Sequence, residues 1–120
     1  LEARDDIAKL IYPSHQDGYA GDRARKYLKG GFGGLLGFEL KAGAEAGRKF
    51  IDSLKLLYHV ANIGDARTLA IHPASTTHSQ LTEHDFVKTG VTAGDVRLSI
   101  GIEHIDDILA DLTQALDAAK

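Results

Sequence analysis

The stretch Val91–Ile105, Val-Thr-Ala-Gly-Asp-Val-Arg-Leu-Ser-Ile-Gly-Ile-Glu-His-Ile, constrains the fold of this chain more than any other. Val96, Leu98, Ile100 and Ile102 alternate with Arg97, Ser99 and Gly101. A period of two puts successive side chains on opposite faces, so the spacing predicts a strand with one packed side. Arg97 is the single permanent cation in this apolar run, and the alternation turns it away from the packed side. A guanidinium offers a planar fork of donors that matches a carboxylate or a phosphate, and it stays charged at any working pH. On the pattern alone, Arg97 reads as a strand arginine in a structural ion pair or in water. A second stretch, Asn62–His78, changes that reading.

At 120 residues the chain is long enough for one domain that buries about two-thirds of its unfolded surface. It has no cysteine, which excludes disulfides, thiolate metal sites and cysteine nucleophiles. The net charge of −3, with signs interspersed, argues against nucleic acid or a membrane surface as partner. No apolar run is long enough to span a bilayer and no leader resembles a signal peptide, so the expectation is a soluble cytoplasmic protein. The opening, Leu1-Glu-Ala-Arg-Asp-Asp-Ile-Ala-Lys-Leu-Ile, reads as the body of a helix with no initiator Met and no cap before it. Methionine is absent throughout, and the expectation is a piece of a longer polypeptide.

In chain order, residues 1–10 read as a short helix, which Pro13 ends by biasing its predecessor toward extended backbone. Ser14–Asp17 supply caps for a helix over about residues 16–28, with Ala20, Ala24, Tyr27 and Leu28 on one face. The glycines from Gly30 to Gly34 lead into a strand at about Leu35–Lys41. They miss the dinucleotide fingerprint, because Leu36 stands where a third glycine is required, so a tight turn explains them better. Ala44–Leu57 is a helix with Ala46, Phe50, Leu54 and Leu57 at helical spacing. Short strands at Tyr58–Ala61 and Thr68–Ile71 follow, then a helix from Thr82 that Gly90 closes. The last helix, Ile105–Ala118, carries Ile105, Ile108, Leu109, Leu112 and Leu116 on one face, with Asp106 and Asp107 at its positive end. The elements do not alternate as in a doubly wound sheet. The fold class is α+β, a small, mostly antiparallel sheet of three or four strands with helices on one face.

Six histidines (His15, His59, His72, His78, His84, His104) invite a metal site, but no pair stands at His-x-x-x-His spacing. Solvated or packed histidines are the reading, and no metal site is expected. No Gly-x-Ser-x-Gly turn presents a nucleophile. The second informative stretch, Asn62-Ile-Gly-Asp-Ala-Arg-Thr-Leu-Ala-Ile-His-Pro-Ala-Ser-Thr-Thr-His, is a strand flanked by hydroxyl-rich turns of the kind that often cap themselves.

Taken together, His-Pro-Ala-Ser-Thr-Thr-His (72–78), Gly-Val-Thr-Ala-Gly-Asp-Val-Arg-Leu-Ser-Ile-Gly-Ile-Glu (90–103) and Ile-Asp-Asp-Ile-Leu-Ala-Asp-Leu (105–112) resemble the pyridoxal-phosphate-dependent cysteine/methionine metabolism family. Phe-Gly-Gly-Leu-Leu-Gly-Phe-Glu-Leu (32–40) looks like the family's entry strand to its C-terminal domain. Ala-Asn-Ile-Gly-Asp-Ala (61–66) and Thr-Thr-His look like the O-acetylhomoserine sulfhydrylase branch, where other branches tend to have Ser-Leu-Gly and Met-Thr-His. The resemblance implies that residues 1–120 are the C-terminal substrate-side domain of a fold-type I enzyme, a homotetramer. Pyridoxal 5′-phosphate would be bound by a larger domain absent from this chain. None of the eight lysines stands in the family's Ser-x-Thr-Lys context, so no catalytic residue and no cofactor-binding residue is assigned here, and the chain alone should be inactive.

Carried over by position, Arg97 matches the arginine that binds the substrate α-carboxylate. Asn62 takes the place of the Ser that opens the turn beside it, and Thr77 matches the hydroxyl residue that helps to position the arginine. The implied reaction is replacement of acetate by sulfide on O-acetylhomoserine, giving homocysteine. Cystathionine γ-synthase and methionine or cystathionine γ-lyase chemistry are the alternatives within the family. A free-standing carboxylate-binding module is the alternative from another class.

Overall fold

The computed structural model describes residues 1–76 and 88–120. Five strands form one sheet: β1 (Ile7–Ile11), β2 (Leu35–Leu40), β3 (Tyr58–His59), β4 (Leu69–Ile71) and β5 (Asp95–Ser99). Their spatial order is β1-β2-β5-β4-β3, antiparallel except for the β3/β4 pair. The helices are α1 (Gly18–Tyr27), α2 (Gly43–Ser53) and α3 (Ile105–Ala118). The mixed α+β class stands, with five strands rather than three or four.

The extra strand is β1, where the sequence suggested a helix. Ile7 and Leu10 are three apart, a helical spacing, but a bulge between Ile7 and Lys9 lets both face the same way in an extended chain. Ile7 pairs with Leu40 and Leu10 with Phe38, and both apolar side chains pack on the core. Pairing along β2 also satisfies backbone groups that an uncapped, weakly amphipathic helix would leave open.

One face of the sheet is the core. Phe38, Val96 and Leu98 are fully or almost fully buried and meet Phe50 of α2 and Leu116 of α3. The Phe38 and Phe50 rings stand edge to face, with centroids 5.5 Å apart. Helix α3 buries Ile108, Leu112 and Leu116 as the spacing predicts. Ile105 and Leu109 lie on the adjoining stripe and are more than half exposed. Ile102 also departs from the predicted alternation and is 86% exposed, because β5 ends at Ser99 and the chain turns at Gly101. Gly30, Gly31 and Gly33 all have positive φ, which bears out the turn reading of the glycine run. Only Lys88 and Thr89 of the helix proposed from Thr82 are described; Gly90 closes it at φ +71°.

Helix α2 stops at Ser53, a turn earlier than its apolar spacing suggests. The cause is Asp111 on α3, almost fully buried. Its two carboxylate oxygens accept from the backbone N–H groups of Lys55, Leu56 and Leu57 at 2.8–3.2 Å, and Gln114 Nε2 donates to it at 3.0 Å. Burial pushes the Asp111 carboxyl up, but the N–H groups of Leu57, Lys55 and Leu56 outweigh that and leave it below the usual aspartate value. In the middle of α2, Gly47 lies against the imidazole of His72; a side chain there would strike the ring. His72 is fully buried, its Nδ1 2.9 Å from Ser75 Oγ and its Nε2 2.8 Å from the Ala93 carbonyl. It is a packed histidine, one of the two readings the sequence allowed.

Asp111→Asn leaves one oxygen for three N–H donors and adds an amide donor among them. It should destabilise the protein by about 2–3 kcal/mol. Hydrogen exchange should locate the damage at the amides of Lys55, Leu56 and Leu57. A carboxyl held below its ordinary value stabilises in full above that value and less as pH falls through the lower folded one. The stability gap between wild type and Asp111→Asn should therefore narrow below about pH 3.9.

Candidate functional site

The second face of the sheet is not covered by α2 or α3. Arg97 points onto it from β5, between Gly37 of β2 and Ile71 of β4. The side chain is half-buried. Its Nη2 donates to the Asn62 carbonyl at 3.0 Å, while its Nε is shut off from solvent and has no partner. Among the described residues Arg97 forms no ion pair, so the structural ion pair that its pattern suggested is not made there. A buried donor without an acceptor costs about 1–3 kcal/mol.

The Asn62 carbonyl is presented by a loop, residues 60–68, that joins β3 to β4 and reaches β5 at Arg97 and Ser99. Asn62 turns its own side chain onto the backbone, Oδ1 accepting from the Ile63 N–H at 2.9 Å. Its main chain, not its amide, therefore touches Arg97. The Gly64 N–H donates to Ser99 Oγ at 3.1 Å, and the Ile102 N–H donates to the Ala66 carbonyl at 2.9 Å. At the far end, Glu103 accepts from the Thr68 N–H and the Thr68 hydroxyl, both at 2.7 Å, and Thr68 Oγ1 accepts from the Gly101 N–H at 2.9 Å. Desolvation pushes the Glu103 carboxyl up, but the two Thr68 donors more than reverse it, so it lies below the usual glutamate value.

A cavity of about 820 Å³ opens over Arg97. Ile11, Leu35 and Ile71 of the sheet line it on one side, with Ala20 and Ala24 of α1 and Leu28 just after that helix. These last three residues belong to the apolar face read from the sequence. They line the cavity instead of packing into a core, and only Gly21 of α1 is buried. The charged lining residues are Arg97 and Asp95, and Asp95 Oδ2 is taken up by the Thr92 N–H at 2.7 Å. One cation in apolar surroundings suits one carboxylate, because a charge-assisted hydrogen bond strengthens where water is scarce.

Pyridoxal phosphate itself does not fit here. Among the described residues no lysine lines the cavity to form an imine, and the one lining carboxylate, Asp95, is already engaged.

Of the three residues selected from the sequence, the structure brings Arg97 and Asn62 together; Thr77 lies outside the described residues. Ser99 and Glu103 were not selected. Ser99 stands two positions after Arg97 and so shares its face, a signal the alternation already held. Glu103 could not be found that way, since its contacts depend on the loop returning from β3. Among the described residues no three metal-ligating side chains cluster; His15, His59 and His104 are exposed, and His78 and His84 lie outside. No helix of the described residues is long and apolar enough to cross a membrane.

Comparison with known proteins agrees with the motif reading. Over 119 residues the chain is 60% identical to an O-acetyl-L-homoserine sulfhydrylase of Leptospira meyeri, covering 97% of this chain and 26% of that protein. It is 52% identical over 116 residues to O-acetyl-L-homoserine sulfhydrylase 1 of Thermus thermophilus, covering 97% of this chain and 28% of that one. An L-methionine gamma-lyase of Fusobacterium nucleatum is 41% identical. A crystal structure described as an O-acetylhomoserine (thiol)-lyase of Campylobacter jejuni, carrying a pyridoxyl-lysine monophosphate, superposes with a TM-score of 0.86 at 43% identity. That match covers 97% of this chain and 28% of that one. The chain thus spans less than a third of the length of these relatives. Residues 1–117 match the Cys/Met metabolism PLP-dependent enzymes, and the chain belongs to that family.

Proposed function

We propose that residues 1–120 are the C-terminal, substrate-side domain of an enzyme that replaces the acetate of O-acetylhomoserine with sulfide to give homocysteine. The single observation that supports this most is Arg97, a cation in an apolar cavity with no carboxylate paired to it among the described residues. The O-acetylhomoserine sulfhydrylases at 52% and 60% identity favour this branch. The cofactor seat is assigned to polypeptide outside these residues, and the reading implies a cytoplasmic homo-oligomer. A free-standing carboxylate-binding module is not favoured, because residues 1–117 match an enzyme family.

When bound, pyridoxal phosphate supplies an electron sink for the substrate Cα. Holding the substrate α-carboxylate would fix how its Cα–H bond is presented to that group. Arg97 does the holding. Its fork fixes the carboxylate in a plane, and the Asn62 carbonyl fixes the fork. The apolar walls exclude water from the pair, which strengthens it. By resemblance, Thr77 is assigned a supporting contact to the arginine.

In the full-length enzyme, Arg97→Ala should raise KM for O-acetylhomoserine by about a hundredfold or more, since it removes hydrogen bonds to a charged group. Arg97→Lys keeps the charge but loses the fork and should fall between. Near-normal KM in both variants overturns the assignment. Sulfide should outperform cysteine as the nucleophile; the reverse preference identifies a cystathionine-forming enzyme instead.

A further inference from the structure

We propose that Glu103 is a positioning residue for Arg97, acting through the loop of residues 60–68. The proposal rests on the reading of Arg97 as the carboxylate-binding residue. The Asn62 carbonyl can hold the guanidinium in one plane only if the loop that carries it cannot slide along β5. Across the sheet face the loop is held by neutral contacts, Gly64 to Ser99 and Ala66 to Ile102. Its far end is held by a charge. Both Glu103 oxygens are used on Thr68, one on the N–H and one on the hydroxyl, at 2.7 Å each. Such bonds are shorter and roughly twice as strong as neutral ones.

Two further observations support the role. Glu103 forms no ion pair among the described residues, so its charge is balanced only by polar donors. Its carboxyl nevertheless lies below the usual glutamate value, as expected of an acceptor held in place rather than a spare surface charge. Gly101 completes the clasp. A side chain there would strike the Ala66 carbonyl oxygen and the backbone at Arg67, so the loop can close onto the end of β5 only over a glycine. The same Gly101 N–H donates to Thr68 Oγ1, which makes Thr68 the shared node of the clasp. The path is continuous: Glu103 fixes Thr68, the loop back to Asn62 is fixed in turn, and the Asn62 carbonyl orients Arg97.

The test uses the full-length, cofactor-loaded enzyme with Glu103→Gln, Thr68→Val, Arg97→Lys and the double variant Arg97→Lys/Glu103→Gln. Glu103→Gln should raise KM for the amino-acid substrate about tenfold, the order expected of a small misplacement, with kcat and KM for sulfide within about twofold. Thr68→Val should shift the same constant in the same direction, and it carries the test alone if Glu103→Gln fails to fold. On the Arg97→Lys background Glu103→Gln should add little, because both changes act on one contact. Unchanged KM in the folded single variants overturns the proposal. So does full additivity in the double variant, or a parallel loss of kcat, sulfide KM and thermal stability. A native KM in both Arg97→Ala and Arg97→Lys overturns the reading of Arg97 itself, and the role of Glu103 falls with it.

Discussion

A single buried carboxylate sets the path of the chain through the middle of this fold. Asp111 projects from α3 and collects the three N–H groups that follow α2, so the helix ends where its own apolar spacing would have carried it on. The chain is thereby delivered to β3, whose two residues lie parallel to β4. Because β3 and β4 run parallel, the connection between them must pass back along the sheet, and on that path the Asn62 carbonyl reaches Arg97 of β5. A charge in the core is tolerable because every donor around it is a hydrogen-bond partner. The arrangement at the site is thus a consequence of how two helices meet on the opposite face of the sheet.

The two faces of the sheet do different work. One is closed by α2 and α3 around Phe38, Phe50 and Leu116, and it holds the strands rigid. The other carries Arg97 and Ser99 at alternate positions of the central strand, under a loop and beside a helix that scarcely enters the core. Orientation of a ligand demands this division. A guanidinium on a mobile segment would bind a carboxylate without fixing its angle, whereas a strand position paired on both sides does not move.

Much of this was legible in the sequence, and the exceptions have physical causes. The alternation at 96–99 identified β5 and the outward direction of Arg97 because burial on one face enforces a period of two. The end of α3 at Ala118 followed from its apolar stripe. The helix read over residues 1–10 failed because the partner that makes Ile7–Ile11 extended, β2, lies beyond α1 in the chain. The overextended α2 failed because its stop signal lies at Asp111, more than fifty residues away along the chain. The role of the Asn62 main chain was invisible for a similar reason, since a backbone carbonyl has no residue-specific signature. What local periodicity encodes was readable; what depends on two distant segments meeting was not.

The pairing of Gly47 with His72 bears on how such a domain can diverge. Alanine in the middle of a helix is favoured over glycine by about 1 kcal/mol, so drift at position 47 should run toward alanine. The imidazole occupies that space, and it also ties the end of β4 to the approach to β5 through Ala93. The two positions are therefore coupled by space. A sequence that keeps the buried histidine needs the glycine, and one that exchanged the histidine for a smaller side chain would be free to gain a better helix.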